Sequence, residues 1–252
     1  HENKKGGKNM ETTIKVQNLC KSYGNISAIK DINISVNQGE VFGLLGANGA
    51  GKSTTIECIL GTKIAEKGTV SILGMNPIAD RKRLFENVGV QFQESNYQDK
   101  VTVSELCEVT QSLYKSAANY TDLIEQFGLT DKLKSLVSEL SGGQRQKLFI
   151  VLALIPNPKV VFLDELTTGL DTKARREVWH CLSRLKEQGL TIFLTSHFMD
   201  EVEALCDRIA ILKKGQIVFT GTVTDAIQNS PYKDFEDVYL WYAEEEIENE
   251  NL

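Results

Sequence analysis

Residues 46–54 read GANGAGKST, which fits the pattern GxxxxGK[ST] with every fixed position in place. Gly46, Gly49 and Gly51 let the backbone curl so that its N–H groups point inward as an anion nest. Asn48 and Ala50 fill the turn between them, and the helix that follows adds its positive end. In such a loop Lys52 reaches the β- and γ-phosphates as a point charge, Ser53 offers its hydroxyl to Mg²⁺, and Thr54 continues into the helix. A polyphosphate is the ligand this chemistry fits. The same loop serves kinases, GTPases, recombinases, helicases and transport ATPases, so it names a ligand and not a task.

A second group narrows the choice. Residues 160–165 read VVFLDE, a hydrophobic run ending in two acids. Asp164 at the end of a buried strand is placed to hold a water of the Mg²⁺ shell. Glu165, next to it, can orient or deprotonate an attacking water. An acid pair alone is also what an ordinary strand end looks like; beside a phosphate loop it favours hydrolysis.

A third group, LSGGQ at residues 140–144, has two readings that are compatible. Ser141 and Gln144 fit an S-x-x-Q capping box that starts the helix running to Pro156. A helix start fronted by Ser141, Gly142 and Gly143 is also an anion site. A second anion site in one chain has no obvious ligand unless it serves another molecule's nucleotide.

These groups must be held by a framework, and the apolar patterning supplies one. Short alternating segments at 13–19 and 28–36, around a turn at Gly24 and Asn25, predict a small antiparallel layer. The run at 41–45 is the strand before the phosphate loop, a hairpin-like GTVSILG follows at 68–74, and 94–140 changes to helical spacing. In that insert, Thr102 and Glu105 form a T-x-x-E capping box. Three buried-type strands follow at 160–163, 191–195 and 208–212 with helices between them, and Lys214 and Gly215 turn into QIVF. Alternating strands and helices predict a mainly parallel sheet covered on both faces. The fold expected is α/β: a phosphate-loop NTPase core with an N-terminal antiparallel β subdomain and a helical insert subdomain.

Composition bounds what such a core can do. At 252 residues, 41% hydrophobic and 25% charged, the chain has the make-up of a globular protein of one or two structural units. Its longest apolar stretch, residues 148–155, is far short of the ~20 needed to cross a bilayer. Five scattered cysteines, Cys20, Cys58, Cys107, Cys181 and Cys206, form no CxxC pair and read as reduced thiols. The net charge of -6 is carried by residues 234–252, which hold eight acids and no base. The remainder is near neutral, with no broad basic face for nucleic acid. Residues 1–9 are expected to be an added tag or a disordered leader, residues 10–222 the phosphate-loop domain with its helical part at about 94–140, and residues 223–252 a short helix and acidic tail.

The order of motifs resembles the ATP-binding cassette (ABC) family, whose signature is LSGGQ shortly before the acidic strand. The resemblance runs from Thr12 to about Thr222. It implies that Tyr23, in KSYG, stacks on adenine, and that Gln93, in GVQFQE, touches Mg²⁺ and links the helical subdomain to the core, with Gln91 the competing candidate. It implies that Thr168 to Asp171, TGLD, crosses a dimer interface. His197, in LTSH, would contact the γ-phosphate and brace Glu165. One departure is Leu166, where the family usually carries proline.

The family architecture further implies two chains, alike or related, facing each other head to tail. ATP and Mg²⁺ would lie between the phosphate loop of one and Ser141, Gly142, Gly143 and Gln144 of the other. The resemblance is to the separate nucleotide-binding subunit of a transporter, peripheral on the cytoplasmic face of the membrane. Glu94, Ser95, Asn96 and Tyr97 would open the surface that receives an integral membrane permease. Residues 199–212 and 89–95 are similar to the drug, antibiotic, peptide and lipid exporter branch. The alternative is a non-transport ABC ATPase such as a cofactor-assembly factor.

Overall fold

The computed structural model describes residues 11–92, 100–165 and 167–243. Gln93, Glu94, Ser95, Asn96, Tyr97 and Leu166 therefore lie outside the described residues, and with them the link and docking readings attached to them.

Two long antiparallel strands open the chain, β1 (Thr12–Tyr23) and β2 (Ile26–Asn37), joined by the turn at Gly24 and Asn25. Gly24 sits at φ 58°, the left-handed conformation that a tight hairpin turn asks for. The segment at 68–74, expected as a hairpin, is one strand, β4 (Lys67–Ile72), paired antiparallel with β1. Beyond Gly74 the chain returns only as the isolated bridge Ile72–Met75. GTVSILG carries a turn signal at its end, but its partner strand is distant in sequence, Ile72 pairing with Ile14 and Lys67 with Cys20. The antiparallel layer thus has three strands, in the order β2-β1-β4.

The second sheet has six strands in the order β5-β6-β7-β3-β8-β9. They are β5 (Val88–Gln91), β6 (Val160–Leu163), β7 (Thr191–Thr195), β3 (Val41–Gly46), β8 (Arg208–Lys213) and β9 (Gln216–Gly221). All neighbours are parallel except β8 and β9, which turn at Lys214 and Gly215. Because side chains alternate along a strand, each central strand feeds two cores. Val161, Leu163, Ile192 and Leu194 pack with α5 (Gly142–Leu154) and α6 (Thr172–Glu187). Phe42, Leu44, Val160, Phe162 and Phe193 pack with α1 (Lys52–Ile59) and the antiparallel layer. Phe193 anchors that side, its ring 5.6 Å from Phe42 and 5.3 Å from Phe162.

Between α2 (Arg81–Leu84) with β5 and the start of α5 lie α3 (Val103–Ser112), α4 (Tyr120–Gln126) and two 3-10 turns. The capping box forms as its sequence predicts: Glu105 N–H donates to Thr102 Oγ1 at 3.3 Å and Thr102 N–H to Glu105 Oε2 at 2.8 Å. After β9 the chain does not end in one short helix. It makes α8 (Val223–Gln228) and α9 (Phe235–Ala243), whose Ala226, Phe235 and Val238 pack with Leu45, Ile209 and Ile211 in a third core. α7 (Met199–Leu205) supplies Met199 and Val202 to that core.

Gly89 shows how tightly the sheet meets its helices. A Cβ there would lie 1.9 Å from the Ala153 carbonyl oxygen of α5 and 3.3 Å from Pro158. Gly89→Ala must push α5 off the sheet. We expect it to lower unfolding free energy by about 1–3 kcal/mol or more, read by chemical denaturation; an unchanged midpoint would mean that α5 packs more loosely than described.

Candidate active site

β3 ends at Gly46 and the chain turns through residues 47–51 into α1. Gly51, the residue before the helix, has φ 107°, and a Cβ on it would meet the Ala28 carbonyl oxygen at 2.6 Å. Gly49 has φ 80°. The loop's path is thus one that only glycine takes without strain at these positions. Lys52 is buried and folds back over the loop, its Nζ donating to the carbonyl oxygens of Gly46 at 2.7 Å and Ala47 at 3.3 Å. Burial pushes its pKa down, while the charges of Glu165 and Asp164 pull it back up.

Asp164 and Glu165 follow β6, two strands away from the loop. Asp164 is buried, and that burial raises its pKa; a hydrogen bond from Thr195 and the charges of Lys52 and His197 oppose the rise, and Glu165 adds to it. Thr195, at the end of β7, joins both acids: its hydroxyl donates to Asp164 Oδ1 at 2.6 Å and accepts the Glu165 N–H at 2.9 Å. Glu165 has φ 50°, a left-handed conformation uncommon for a residue with a Cβ. Strain of this kind, of order 1–2 kcal/mol, persists where surrounding contacts over-determine it. One of those contacts is direct: His197 Nε2 meets Glu165 Oε1.

A cavity of about 630 Å³ joins these parts, bordered by Asn48, Gly49, Gly51, Lys52, Ser53 and Thr54 of the loop and helix, by Glu165 and His197, and by Tyr23 and Ala28 at the antiparallel layer. Tyr23 stands half-exposed at its rim, its ring flanked by Lys21 and Lys63, each Nζ 5.3 Å from the centroid. Gly46 and Ala50 lie in the loop beneath.

Other expected residues stand elsewhere. Ser141, Gly142, Gly143 and Gln144 start α5 outside the cavity. The capping box is present, with Gln144 N–H donating to Ser141 Oγ at 3.3 Å and Ser141 N–H to Gln144 Oε1 at 3.0 Å. Asp171 caps α6, accepting the Ala174 N–H at 2.8 Å, and is also outside the cavity. Gln91, the competitor to Gln93, ends β5 buried, its Nε2 on the Phe92 carbonyl oxygen at 2.8 Å and its Oε1 with no hydrogen-bond partner among the described residues. Thr195 is the residue that sequence reading passed over; its only signal was its place one residue before Ser196 and His197 in LTSH.

No group of three or more His, Cys, Asp or Glu among the described residues could hold a metal ion by itself. One serine in the cavity and one carboxylate close enough to sense Lys52 and Glu165 instead fit a Mg²⁺ ion whose other ligands are phosphate oxygens and water.

The model of the family described as ABC transporter matches residues 29–168, more than half of the chain. The chain belongs to the ABC transporter family. Among curated proteins it is similar to the Nod factor export ATP-binding protein I of Mesorhizobium japonicum, 42% identical over 81% of this chain and 61% of that protein. It is also similar to the linearmycin resistance ATP-binding protein of Bacillus subtilis, 34% identical over 84% of this chain and 70% of that one. The chain thus spans about three-fifths to seven-tenths of the length of these relatives. Among solved structures, an ATP-binding subunit of an ABC transporter superposes with a TM-score of 0.83 at 26% identity, covering 92% of this chain and 99% of that one. A dimeric, post-hydrolysis ATP-binding cassette bound to ADP and phosphate superposes with a TM-score of 0.74 at 25% identity, over 83% and 98%.

The raised pKa of Asp164 carries a stability consequence for this ABC cassette. A carboxyl whose folded pKa is above its ordinary 3.8 contributes stability at pH below that value and loses it as pH rises through the folded value. Asp164→Asn keeps an acceptor for Thr195 without the buried charge. Its nucleotide-free melting temperature is expected to exceed the wild type's at neutral pH, with the gap closing as pH falls toward 4. A pH-independent or inverted gap in a thermal melt series would show that the charge is not the destabilising element.

Proposed function

We propose that this chain is the ATP-hydrolysing subunit of an ABC transporter, pairing with a second cassette, alike or related, around two Mg-ATP and driving a separate membrane permease of the exporter type. The observation that carries the reading is the cavity in which the phosphate loop, Lys52, Glu165 and His197 meet. Its rim fits an adenine on Tyr23 and its floor a triphosphate on the loop.

On binding, Lys52 exchanges the Gly46 and Ala47 carbonyls for β- and γ-phosphate oxygens, and the loop amides take the rest. Ser53 and Asp164 would hold Mg²⁺, which when bound would supply charge neutralisation on the polyphosphate. Glu165 aligns a water and takes its proton as the new O–P bond forms and the bond to the ADP oxygen breaks. His197, on the Glu165 carboxylate, orients it and faces the transferring phosphoryl group. Ser141, Gly142 and Gly143 lie outside this chain's own cavity, which suits a role at the nucleotide of the partner cassette, with Gly169 and Leu170 beside them. The exporter assignment is supported by the names of the relatives above and by the similarity noted at residues 89–95 and 199–212. No helix among the described residues is long and apolar enough to cross a membrane; a peripheral place on the cytoplasmic face, reached through the helical subdomain, follows from the permease reading.

Two substitutions test the chemistry separately. Glu165→Gln should bind ATP normally and release phosphate slower by roughly 10²-fold or more, since it loses the base. Lys52→Ala should weaken nucleotide binding itself, measured by titration calorimetry. Near-normal steady-state hydrolysis by the first, or unchanged affinity in the second, would remove the assignment of that residue.

A further inference from the structure

Behind the turn that carries His197 lies a buried polar cluster that the reaction above does not use. Its centre is Glu201 on α7, with no exposed surface at all. Glu201 Oε1 accepts the indole N–H of Trp179, on α6, at 2.9 Å. Its Oε2 is buried with no hydrogen-bond partner among the described residues, and so are Thr167 Oγ1 and Arg175 Nε. Burial pushes the Glu201 pKa up, and the neighbouring Ser196, Trp179, Thr167 and Arg175 side chains oppose the rise, the Trp179 indole in full hydrogen-bond geometry and Thr167 Oγ1 close by without it.

The members come from the parts of the site that must agree in position. Ser196 and Phe198 flank His197, and Phe198 N–H donates to Ser196 Oγ at 2.9 Å. The Arg175 guanidinium lies 3.8 Å from the centre of the Phe198 ring and reaches both Asp200 oxygens at 3.2 and 3.4 Å. Thr167 is two residues after Glu165 and opens the loop to Asp171, whose Leu170 N–H returns to the Thr167 carbonyl oxygen at 3.1 Å. A half-satisfied buried carboxyl is a costly element for packing alone, where an apolar residue would serve as well or better. Its value must lie in what it holds in place.

We propose that Glu201 is a positioning residue. From α7 it ties the Ser196–Phe198 turn to Trp179 of α6 and to the start of the 167–171 loop, so that His197 is held on Glu165 and the two loops move as one. The inference rests on the ATPase reading above.

The test is steady-state phosphate release by Glu201→Leu, Glu201→Gln and Trp179→Phe, with Glu201→Leu also made in a His197→Ala background. Glu201→Leu should lower kcat about tenfold or more with KM for ATP within about threefold, because only transition-state positioning is lost. Glu201→Gln, which keeps the acceptor for Trp179, should retain kcat within about threefold. In the His197→Ala background Glu201→Leu should cost less than about twofold, since residues acting through one another are not additive. If Glu201→Leu fails to fold, Trp179→Phe carries the same test, with kcat reduced and KM unchanged.

Unchanged kcat in folded Glu201→Leu or, where that variant does not fold, in Trp179→Phe overturns the proposal. So does a full tenfold loss persisting without His197, or a kcat that only follows the folded fraction. Any of these leaves the ATPase reading intact, whereas a wild-type chain that releases no phosphate overturns both.

Discussion

Parallel register is the constraint on which the site is built. β6, β7 and β3 are neighbours in one sheet, with Leu163 opposite Leu194 and Leu44 opposite Thr195. Parallel strands in register end on the same edge. The phosphate loop, the acid pair and the Ser196–His197 turn therefore emerge side by side, although more than a hundred residues of chain separate the first from the second. Ligands of open α/β sheets bind at this carboxyl edge for the same reason. Phe42, Phe162 and Phe193 hold the three strands together on one face, and α5 and α6 cover the other.

On that edge, Thr195 converts adjacency into geometry. Its one hydroxyl serves as donor to Asp164 and acceptor for the Glu165 backbone, which fixes the strained Glu165 conformation and the buried carboxylate in one step. Lys52, Asp164 and Glu165 share a partly dry space in which charges act strongly on one another. The pKa of Asp164 is raised and that of Lys52 lowered by the same cause, burial. Such a site is uncomfortable without ligand, which suits it to the polyphosphate proposed above.

Local signals were legible in the sequence and long-range ones were not. The phosphate loop, the turn at Gly24, and the capping boxes at Thr102 and Ser141 depend on residues within a few positions of each other, and each has the local form its sequence implies. The β4 segment was misread as a hairpin because its end carries turn chemistry while its partner, β1, is distant. The packing of α9 against β8 is obscured by the eight acids of 234–252, among which Phe235 and Val238 are the residues that enter the third core. Thr195 and Glu201 were missed for a common reason: a hydroxyl in a strand and an acid in a helix acquire meaning only from what the fold sets beside them. The resemblance to the ABC family supplied the signature's role, which neither its spacing nor its capping geometry contains.

The central claim is the proposal that this chain holds half of each hydrolytic site, the signature at the start of α5 lying outside its own cavity. Phosphate release per chain, measured across chain concentration alongside sedimentation, tests it most directly. The account predicts a rate per chain that rises with concentration and saturates as chains pair. A constant rate per chain at concentrations where the protein sediments as a monomer would contradict it.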